Sequence, residues 1–450
     1  MVDAATKRKK VYTILLIVVL ATILVKGGLV VRSNVKTPPT HKDYPRWHRI
    51  ARRALEGKTL ADPRGKGAVA IEDHEGEVGF YKLPPAWAIY TAPLGLFQVF
   101  GAYVYTYYYL SVGCGVLCVF LAMRTIHGRW LPEDPWKCVI PVFFFLPLAV
   151  DDLHNGNTSL ILLLPLMAGA YLASRGRRVL GALGWGLCAA LKAYPAAAIG
   201  ALLFVRRWRL MLLSVAAALA WTLLIPGLIR GFERTWNDNR AWAERIVMPY
   251  LEGKEKTQWD SKAHSVRNQS LWGAVTRFTR PLNAMGEYAD EDPIYVNFLS
   301  LSSKQSTIIF AALVLIAAGI TAGICWRAGP PTGPLTTACD YSLAMTFILL
   351  ASPLVWTYYL TILLLPMTLG AEVALRHRKH PLGKMCLWAF VITVPLFFGG
   401  LSMWARAFGT LGWIGVLWYV VLLVLRARMS ELEGAVGPTM ANEEARTTNP

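Results

Sequence analysis

Charged residues are scarce in this sequence: Asp, Glu, Lys and Arg make up 16% of the 450 residues. Soluble domains average about 25% charged residues. The apolar share here is 55%, and several apolar runs reach the roughly 20 residues that are needed to cross a bilayer. The composition therefore excludes a set of soluble domains and predicts a polytopic membrane protein with one embedded bundle.

Motifs of common soluble enzymes are missing as well. The sequence holds no Walker loop, no GxGxxG, no HExxH and no Gly-x-Ser-x-Gly. Its seven cysteines form neither a CxxC pair nor a cluster with zinc spacing. Asp290-Glu-Asp292 fits the DxD letters of nucleotide-sugar enzymes, but it stands in an ordinary polar loop. Nothing in the sequence therefore indicates a disulfide framework, a metal centre or a nucleotide-phosphate loop.

Positive charge outweighs negative charge, with 46 Lys and Arg against 28 Asp and Glu and a net charge of +18. The main interpretation is the positive-inside bias of short cytoplasmic loops, and part of the excess suits anionic lipid headgroups or lipid phosphates. The basic residues form no nucleic-acid-binding fold, so we expect no nucleic-acid partner. The first apolar run, 11–31, follows a basic cluster and is too long for a signal-peptide core, so it predicts a membrane anchor.

The alternation of apolar runs and basic loops predicts an all-α polytopic membrane fold of about 12 crossings with both chain ends in the cytoplasm. We expect one transmembrane domain over 1–428, with outer loops at 32–84 and 229–304, and a disordered cytoplasmic tail over 429–450. A short apolar stretch at 86–98 is predicted to be interfacial or re-entrant. Crossings are predicted at 11–31, 101–123, 136–150, 158–174, 179–191, 195–205, 210–228, 306–326, 336–351 and 353–371, with two more that end at Arg426 and Arg428.

Polar residues collect on the predicted outer face, whereas chance would scatter them over both faces. Their convergence predicts an active site at the outer membrane boundary. The clusters are Asp43-Tyr44 with the basic stretch behind it, Asp151–Ser159, Lys192-Ala-Tyr-Pro195, Arg267-Asn-Gln-Ser270 with Arg277, and Ser352–Tyr359.

Asp43 lies shortly after the first crossing and is followed by aromatic and basic residues. A carboxylate against the membrane surface carries a desolvation cost, and residues that carry this cost usually have a function. We therefore predict that Asp43 is a catalytic base acting on a lipid-presented substrate. The stretch from Tyr44 to Glu56 has apolar residues on one helical face and arginines on the other, which predicts an amphipathic helix in the interface. Its arginines, Arg52 and Arg53 among them, either anchor headgroups or hold a lipid-linked phosphate.

Lys192 lies between two short apolar half-helices that Pro195 separates. Its charge either snorkels to the interface or faces a cavity, where it neutralises an anionic substrate group. Aromatic residues on the same face either form an interfacial belt or stack on sugar rings. Asn157 and Asn268 fit the glycosylation sequon and are also placed to contact a sugar hydroxyl.

Several local patterns stand in the order found in one known family. They are Asp43-Tyr44 with Arg53-Ala-Leu-Glu-Gly57, Tyr81-Lys-Leu-Pro-Pro85, Gly156-Asn-Thr-Ser159, Leu191-Lys-Ala-Tyr-Pro195 with Arg206-Arg207, Asn268-Gln-Ser-Leu271, and Ser352-Pro353 with Trp356. Over roughly residues 10–425 the chain resembles the C-superfamily glycosyltransferases that use polyprenyl-phosphate sugars. In particular it resembles glycosyltransferase family 87, which includes mycobacterial mannosyltransferases.

The resemblance implies an inverting transfer of a sugar, mannose or else arabinofuranose, from a polyprenyl-phosphate donor to a lipid or polysaccharide acceptor on the outer face of the plasma membrane. It implies that Asp43 is the general base and that no metal, nucleotide or other cofactor is needed. Tyr358 and Tyr359 stand where the family often has histidine. Donor-phosphate binding is expected from Lys192, Arg267, Arg52 and Arg53, and substrate binding from Tyr44, Tyr81, Asn157, Tyr194, Asn268, Gln269, Trp356, Tyr358 and Tyr359.

Two rival functions stay open at the level of sequence. A transporter or flippase of lipid or lipid-linked sugar is compatible with the helix break at Pro195, but the two halves of the chain show no repeat. A non-catalytic scaffold for envelope assembly would not require Asp43 and Lys192 to lie close together. Ionisable residues at successive depths of the bilayer would favour transport, and a pocket at the outer face would favour the transferase.

Overall fold

The protein is a helical bundle. The residues that the computed structural model describes are 2–36, 43–60, 70–72, 78–80, 83–248, 264–286 and 292–434. Among them, eight helices are long and apolar enough to cross a membrane, and two shorter apolar helices accompany them. The chain is therefore a multi-pass membrane protein, as its composition predicts, while the expected total of about 12 crossings stays a prediction.

Helices make up most of the described chain. The first half holds α1 (Val2–Lys36), α2 (Tyr44–Leu55), α3 (Pro85–Thr91), α4 (Phe100–His127), α5 (Trp136–Asn155), α6 (Ser159–Ser174), α7 (Arg178–Leu191), α8 (Ala196–Phe204) and α9 (Trp208–Leu219). The second half holds α10 (Ile225–Arg230), α11 (Phe232–Trp242), α12 (Leu271–Thr279), α13 (Ser303–Arg327), α14 (Pro334–Ala351), α15 (Leu364–Arg376), α16 (Pro381–Gly399), α17 (Met403–Ala407) and α18 (Thr410–Gly434). Short 3₁₀ or π turns extend them at Ala92–Leu96, Ala220–Leu224, Ala243–Val247 and Thr357–Leu363.

The structure differs in two details from the predictions, which were an all-α fold and a disordered tail that begins at residue 429. A small antiparallel hairpin pairs β1 (Ala70–Glu72) with β2 (Val78–Phe80) in the loop after α2. The last helix, α18, continues to Gly434. Within its last turns, Arg428 pairs with Glu431, which lies about one turn further along the helix. The expected disordered tail therefore begins as helix, and residues 435–450 lie outside the described part of the chain.

Two other predicted elements, the amphipathic helix and the pair of half-helices, are confirmed as helices. The amphipathic stretch after Asp43 is α2, which buries Trp47 and leaves Arg52 exposed. The two half-helices are α7 and α8, and Lys192 between them has an extended backbone (φ −154°, ψ 133°). The stretch expected to be interfacial or re-entrant forms α3 and a 3₁₀ turn. Its Trp87 is fully buried against Trp47, so this segment packs against α2.

The core lies around α14 and the segment from Thr357 to Arg376. Their most apolar windows are 78% and 89% buried, compared with 22% for α1 and α13, which expose apolar side chains as lipid-facing helices do. Glycine permits close contact between α6 and α7, because a Cβ at Gly184 would lie 2.4 Å from the carbonyl oxygen of Pro165.

The two ends of the bundle differ in chemistry. At the end where α14 begins, Asp340 pairs with Arg207 (3.1 Å) and Arg426 (2.6 Å). Glu372 pairs with Lys137 (2.7 Å) at the same end. Buried carboxylates require such partners, so these clusters are expected to hold helices together. The opposite end, hereafter the site end, is formed by the start of α2, the α5–α6 turn and the α7–α8 junction.

Candidate active site

Helix α2 is held against the last turn of α5. The backbone N–H of Asp43 donates to the carbonyl of Asn155 (3.0 Å). The Tyr44 hydroxyl donates to the carbonyl of Leu153 (2.6 Å). The last carbonyls of a helix have no partner within the helix, so these donors satisfy them. The contacts place Asp43, which precedes α2, directly beside the α5–α6 turn.

His48 fixes another side of α2. Its ring Nε2 donates to the carbonyl of Phe97 (2.8 Å), and the ring packs on Tyr103 with centroids 4.7 Å apart. Burial lowers the pKa of His48 below its ordinary value, which keeps the ring neutral. Because polar contacts hold α2 at separate points, the position of Asp43 at its start is defined by the fold.

Gly156 sets how closely α2 approaches the α5–α6 turn. It ends α5 in the left-handed region (φ 66°), which glycine adopts without steric cost. Its carbonyl accepts from Nε1 of Trp47 (3.0 Å). A Cβ at this position would lie 2.4 Å from the ring of Tyr44. A larger residue at 156 would therefore push α2, and Asp43 with it, away from the turn.

Gly156→Ala is expected to lower the free energy of unfolding by about 1–3 kcal/mol, because the new methyl group overlaps Tyr44 and stands at positive φ. Thermal denaturation in detergent measures the loss. Gly176→Ala is the matched control, since Gly176 also has positive φ (80°) but open space around the Cβ position. Equal losses in both variants would show that backbone strain, and not the contact with Tyr44, determines the effect.

Asn157 joins Asp43 to the Thr357–Leu363 turn. Its Nδ2 donates to Oδ2 of Asp43 (2.9 Å) and to the hydroxyl oxygen of Tyr358 (2.8 Å). Its Oδ1 accepts from the backbone N–H of Thr158 (2.7 Å). Both amide hydrogens and the amide oxygen are thus engaged. Tyr358 is the acceptor in this contact, so its own O–H can donate to another group.

Asp43 remains accessible on one side. Its side chain is 22% exposed, and Oδ1 lies 3.6 Å from Nη1 of Arg46. Asn157 holds the other carboxylate oxygen. An oriented and partly exposed carboxylate can accept a proton from an approaching hydroxyl group.

Lys192 lies beside the same turn. Its ammonium group donates to Oγ1 of Thr158 (3.2 Å) and lies over the rings of Tyr359 (4.5 Å) and Tyr194 (5.2 Å). These rings stack with centroids 4.7 Å apart, and cation–π contact stabilises the ammonium group where water is excluded. Asp43 is within electrostatic range of Lys192. The Asn157-Thr158 pair therefore links a carboxylate to a cation, which together can take up a proton and neutralise a developing negative charge.

Asn268 and Gln269 direct their amides to the backbone. Asn268 Nδ2 donates to the carbonyl of Pro353 (2.9 Å), and its Oδ1 accepts from the N–H of Val355 (3.0 Å). Gln269 Nε2 donates to two backbone carbonyls (2.6 and 3.0 Å). Both side chains are buried. These bonds fix the segment that precedes Tyr358, and substrate contact by either amide stays a prediction.

Two of the predicted phosphate-binding arginines lie toward the end of α2, away from Asp43. Arg52 pairs with Glu56 (3.7 Å), and Nε of Arg53 donates to the carbonyl of Thr59 (2.8 Å). Both therefore contribute positive charge to the site end without touching the Asp43–Lys192 centre.

The remaining predicted residues are spread around this centre. Arg267 is exposed and lies within electrostatic range of Asp151. Trp356 is partly exposed. Tyr44 is fully buried and packs α2 against α5. Tyr81 lies outside the described residues.

Asp152 has a positioning role that the sequence did not assign to it. Its carboxylate oxygens accept from the backbone N–H groups of Ser159 (3.1 Å) and Leu160 (3.2 Å), at the start of α6. This contact fixes the turn that carries Asn157 and Thr158. The signal in the sequence was an acidic residue shortly before an apolar helix, an arrangement that helix N-termini favour.

Comparison with known proteins identifies the family. Among the described residues, no group of three or more His, Cys, Asp and Glu side chains could hold a metal ion. Searches of curated proteins and of solved structures found no match. The model of glycosyltransferase family 87 matches residues 81–353, which include Asn157 and Lys192 but not Asp43. Because the match covers more than half of the 450 residues, this chain belongs to glycosyltransferase family 87 and is a membrane glycosyltransferase.

Proposed function

We propose that the protein transfers a sugar from a polyprenyl-phosphate donor to a lipid or polysaccharide acceptor, with inversion, on the outer face of the plasma membrane. Both chain ends are then cytoplasmic. Mannose is the first candidate sugar and arabinofuranose the second. The observation that supports the proposal most is the link from Asp43 through Asn157 and Thr158 to Lys192.

Asp43 acts as the general base. An acceptor hydroxyl group has a pKa far above 7, so it must lose its proton as its oxygen attacks the anomeric carbon. The bond between acceptor oxygen and anomeric carbon forms while the bond from that carbon to the phosphate oxygen breaks. The proton passes to Asp43, and the electron pair leaves with the polyprenyl phosphate. A positioned carboxylate contributes roughly 10²–10⁴-fold to such a step.

Lys192 stabilises the charge that develops on the leaving phosphate. An ammonium group has three hydrogens, and the bond to Thr158 uses one of them, so others can reach phosphate oxygens. Arg52, Arg53 and Arg267 add positive charge that attracts the donor to the site end.

Aromatic residues complete the sugar site. Tyr358 donates its O–H to the sugar or the phosphate, because its oxygen already accepts from Asn157. A tyrosine is a poor base near pH 7, so Tyr358 serves as a neutral donor where the family often has histidine. Trp356, Tyr194 and Tyr359 are proposed to line the sugar and prenyl groups. Tyr81, Asn268 and Gln269 remain further candidates for substrate contact.

The transporter alternative requires charged groups at successive depths of the bundle. No charged residue stands between Lys192 and Arg206, the stretch that includes α8. The buried carboxylates Asp340 and Glu372 lie at the opposite end and are paired with basic residues. This separation favours an enzyme that performs its chemistry at one end.

Purified protein in nanodiscs tests the donor class. With polyprenyl-phosphate mannose and a panel of glycolipid acceptors, we expect release of polyprenyl phosphate and a product one hexose heavier, measured by mass spectrometry. Polyprenyl-phosphate arabinofuranose in a parallel reaction tests the second sugar. Efficient transfer from a nucleotide sugar without any lipid carrier would contradict the proposed donor.

A further inference from the structure

A polar cavity lies at the far end of α2 from Asp43. Its volume is about 560 Å³. It is lined by Thr59 and, around the corner between α10 and α11, by Arg230, Gly231, Glu233, Arg234, Asn237 and Asp238. None of these residues takes part in the centre around Lys192.

The floor of the cavity is formed by buried side chains that bond to one another and to the backbone. The side chains of Arg230 and Asp238 are 6% and 1% exposed and pair at 2.8 Å. Asp238 also accepts from Oγ1 of Thr59 (3.0 Å) and from the N–H of Leu60 (3.1 Å), and Arg230 donates to the carbonyl of Lys58 (2.6 Å). Nε of Arg230 is buried and has no hydrogen-bond partner within the described residues. A buried donor of this kind normally finds a partner in protein, water or ligand.

The rim of the cavity carries exposed polar side chains. Glu233 and Asn237 stand one turn apart on α11, line the cavity and are exposed. Arg234 lies between them in sequence and donates to the carbonyl of Gly57 (2.6 Å). The lining thus combines guanidinium, carboxylate, amide and hydroxyl groups, and its two arginines balance its two acids.

This charge balance distinguishes classes of ligand. A phosphate site would have an excess of donors with positive charge. Paired donors and acceptors on planar groups instead match the adjacent hydroxyl groups of a neutral sugar, each of which both donates and accepts.

Helix α2 sets the separation between the cavity and the base. Its 12 residues, at 1.5 Å each, span about 18 Å. Arg46, Arg49 and Arg53 lie along this path and are only partly buried. A single sugar cannot occupy both places, whereas a chain of several sugars can.

We infer that the cavity is a distal subsite for the glycan of the acceptor. It holds a neutral sugar several units away from the hydroxyl group that Asp43 activates. The inference rests on the proposed function, because it assumes that the acceptor reaches Asp43. It makes the enzyme favour an oligosaccharide acceptor over a single sugar.

Binding of a linear mannotetraose to the full-length protein in nanodiscs tests the subsite without any turnover. By saturation-transfer NMR, wild type and Asp43→Asn are expected to bind the tetraose equally. Glu233→Ala combined with Asn237→Ala is expected to bind it about tenfold more weakly, since two hydrogen-bonding side chains are lost from an intact floor. Glu244→Ala, which alters an exposed side chain outside the cavity, is the control.

Equal binding by wild type and the double variant would overturn the subsite, as would displacement of the tetraose by inorganic phosphate. A methyl mannoside that binds as tightly as the tetraose would also contradict it. Sugar transfer by Asp43→Asn at close to the wild-type rate, in contrast, would overturn the proposed base while a tetraose-binding cavity remained. The two failures are therefore distinguishable.

Discussion

Asp43→Asn is expected to slow sugar transfer by a factor of about 10²–10⁴, because an amide cannot take the proton of the acceptor hydroxyl group. The substitution conserves shape and leaves an oxygen that can still accept from Asn157, so α2 should stay docked. The rate is measured with polyprenyl-phosphate mannose and saturating acceptor. Melting temperature and size-exclusion profile report whether the fold is intact.

Two further variants separate the base from its surroundings. Asp292→Asn changes an exposed carboxylate elsewhere and should keep wild-type turnover. Asn157→Leu keeps the carboxylate of Asp43 but removes the donor that orients it, so we expect a smaller loss, confined to kcat. If Asp43→Asn and Asp292→Asn turned over at similar rates, another group would have to take the proton.

Lys192→Gln is expected to have the second largest effect on sugar transfer. It removes the cation that is proposed to face the leaving phosphate, and a hydrogen bond to a charged group is worth about 1.5–3 kcal/mol, or roughly 10–100-fold in donor kcat/KM. The acceptor KM should change much less. Initial rates measured over a range of donor and acceptor concentrations give both values.

The conservative variant Lys192→Arg should recover part of the activity, because it restores the charge over Tyr359 and Tyr194. Lys304→Gln, which removes an exposed lysine at the start of α13, is the control for lost charge alone. A donor kcat/KM that is unchanged in Lys192→Gln would argue against the phosphate role.

Sequence patterns identified the elements that amphipathicity and charge define. The alternation of apolar residues and arginines predicted α2, and the proline break predicted the junction of α7 and α8. Asp43 and Lys192 were recognised singly, because a charge beside an apolar segment carries a cost that a sequence reveals. Their placement beside one turn agrees with the predicted convergence of polar clusters.

Hydrogen bonds between residues that are far apart in the chain could not be predicted from the sequence. Asn157 was predicted to bind substrate, yet its amide is engaged by Asp43 and by Tyr358, which is 201 residues away. Asn268 likewise bonds to a backbone carbonyl 85 residues away. Such contacts depend on how helices pack, and they decide which polar side chains stay open to a ligand. No local pattern carries this information.

The docking of α2 on α5 has a consequence for biosynthesis. Tyr44 and its partner Leu153 are 109 residues apart, so α2 leaves the ribosome well before α5 does. Until α5 has inserted, Asp43 lacks both the turn that holds its backbone and the amide that orients its carboxylate. On the proposed mechanism, the catalytic base is therefore assembled only after the membrane helices around it, and a half-inserted chain would not consume the lipid-linked sugar.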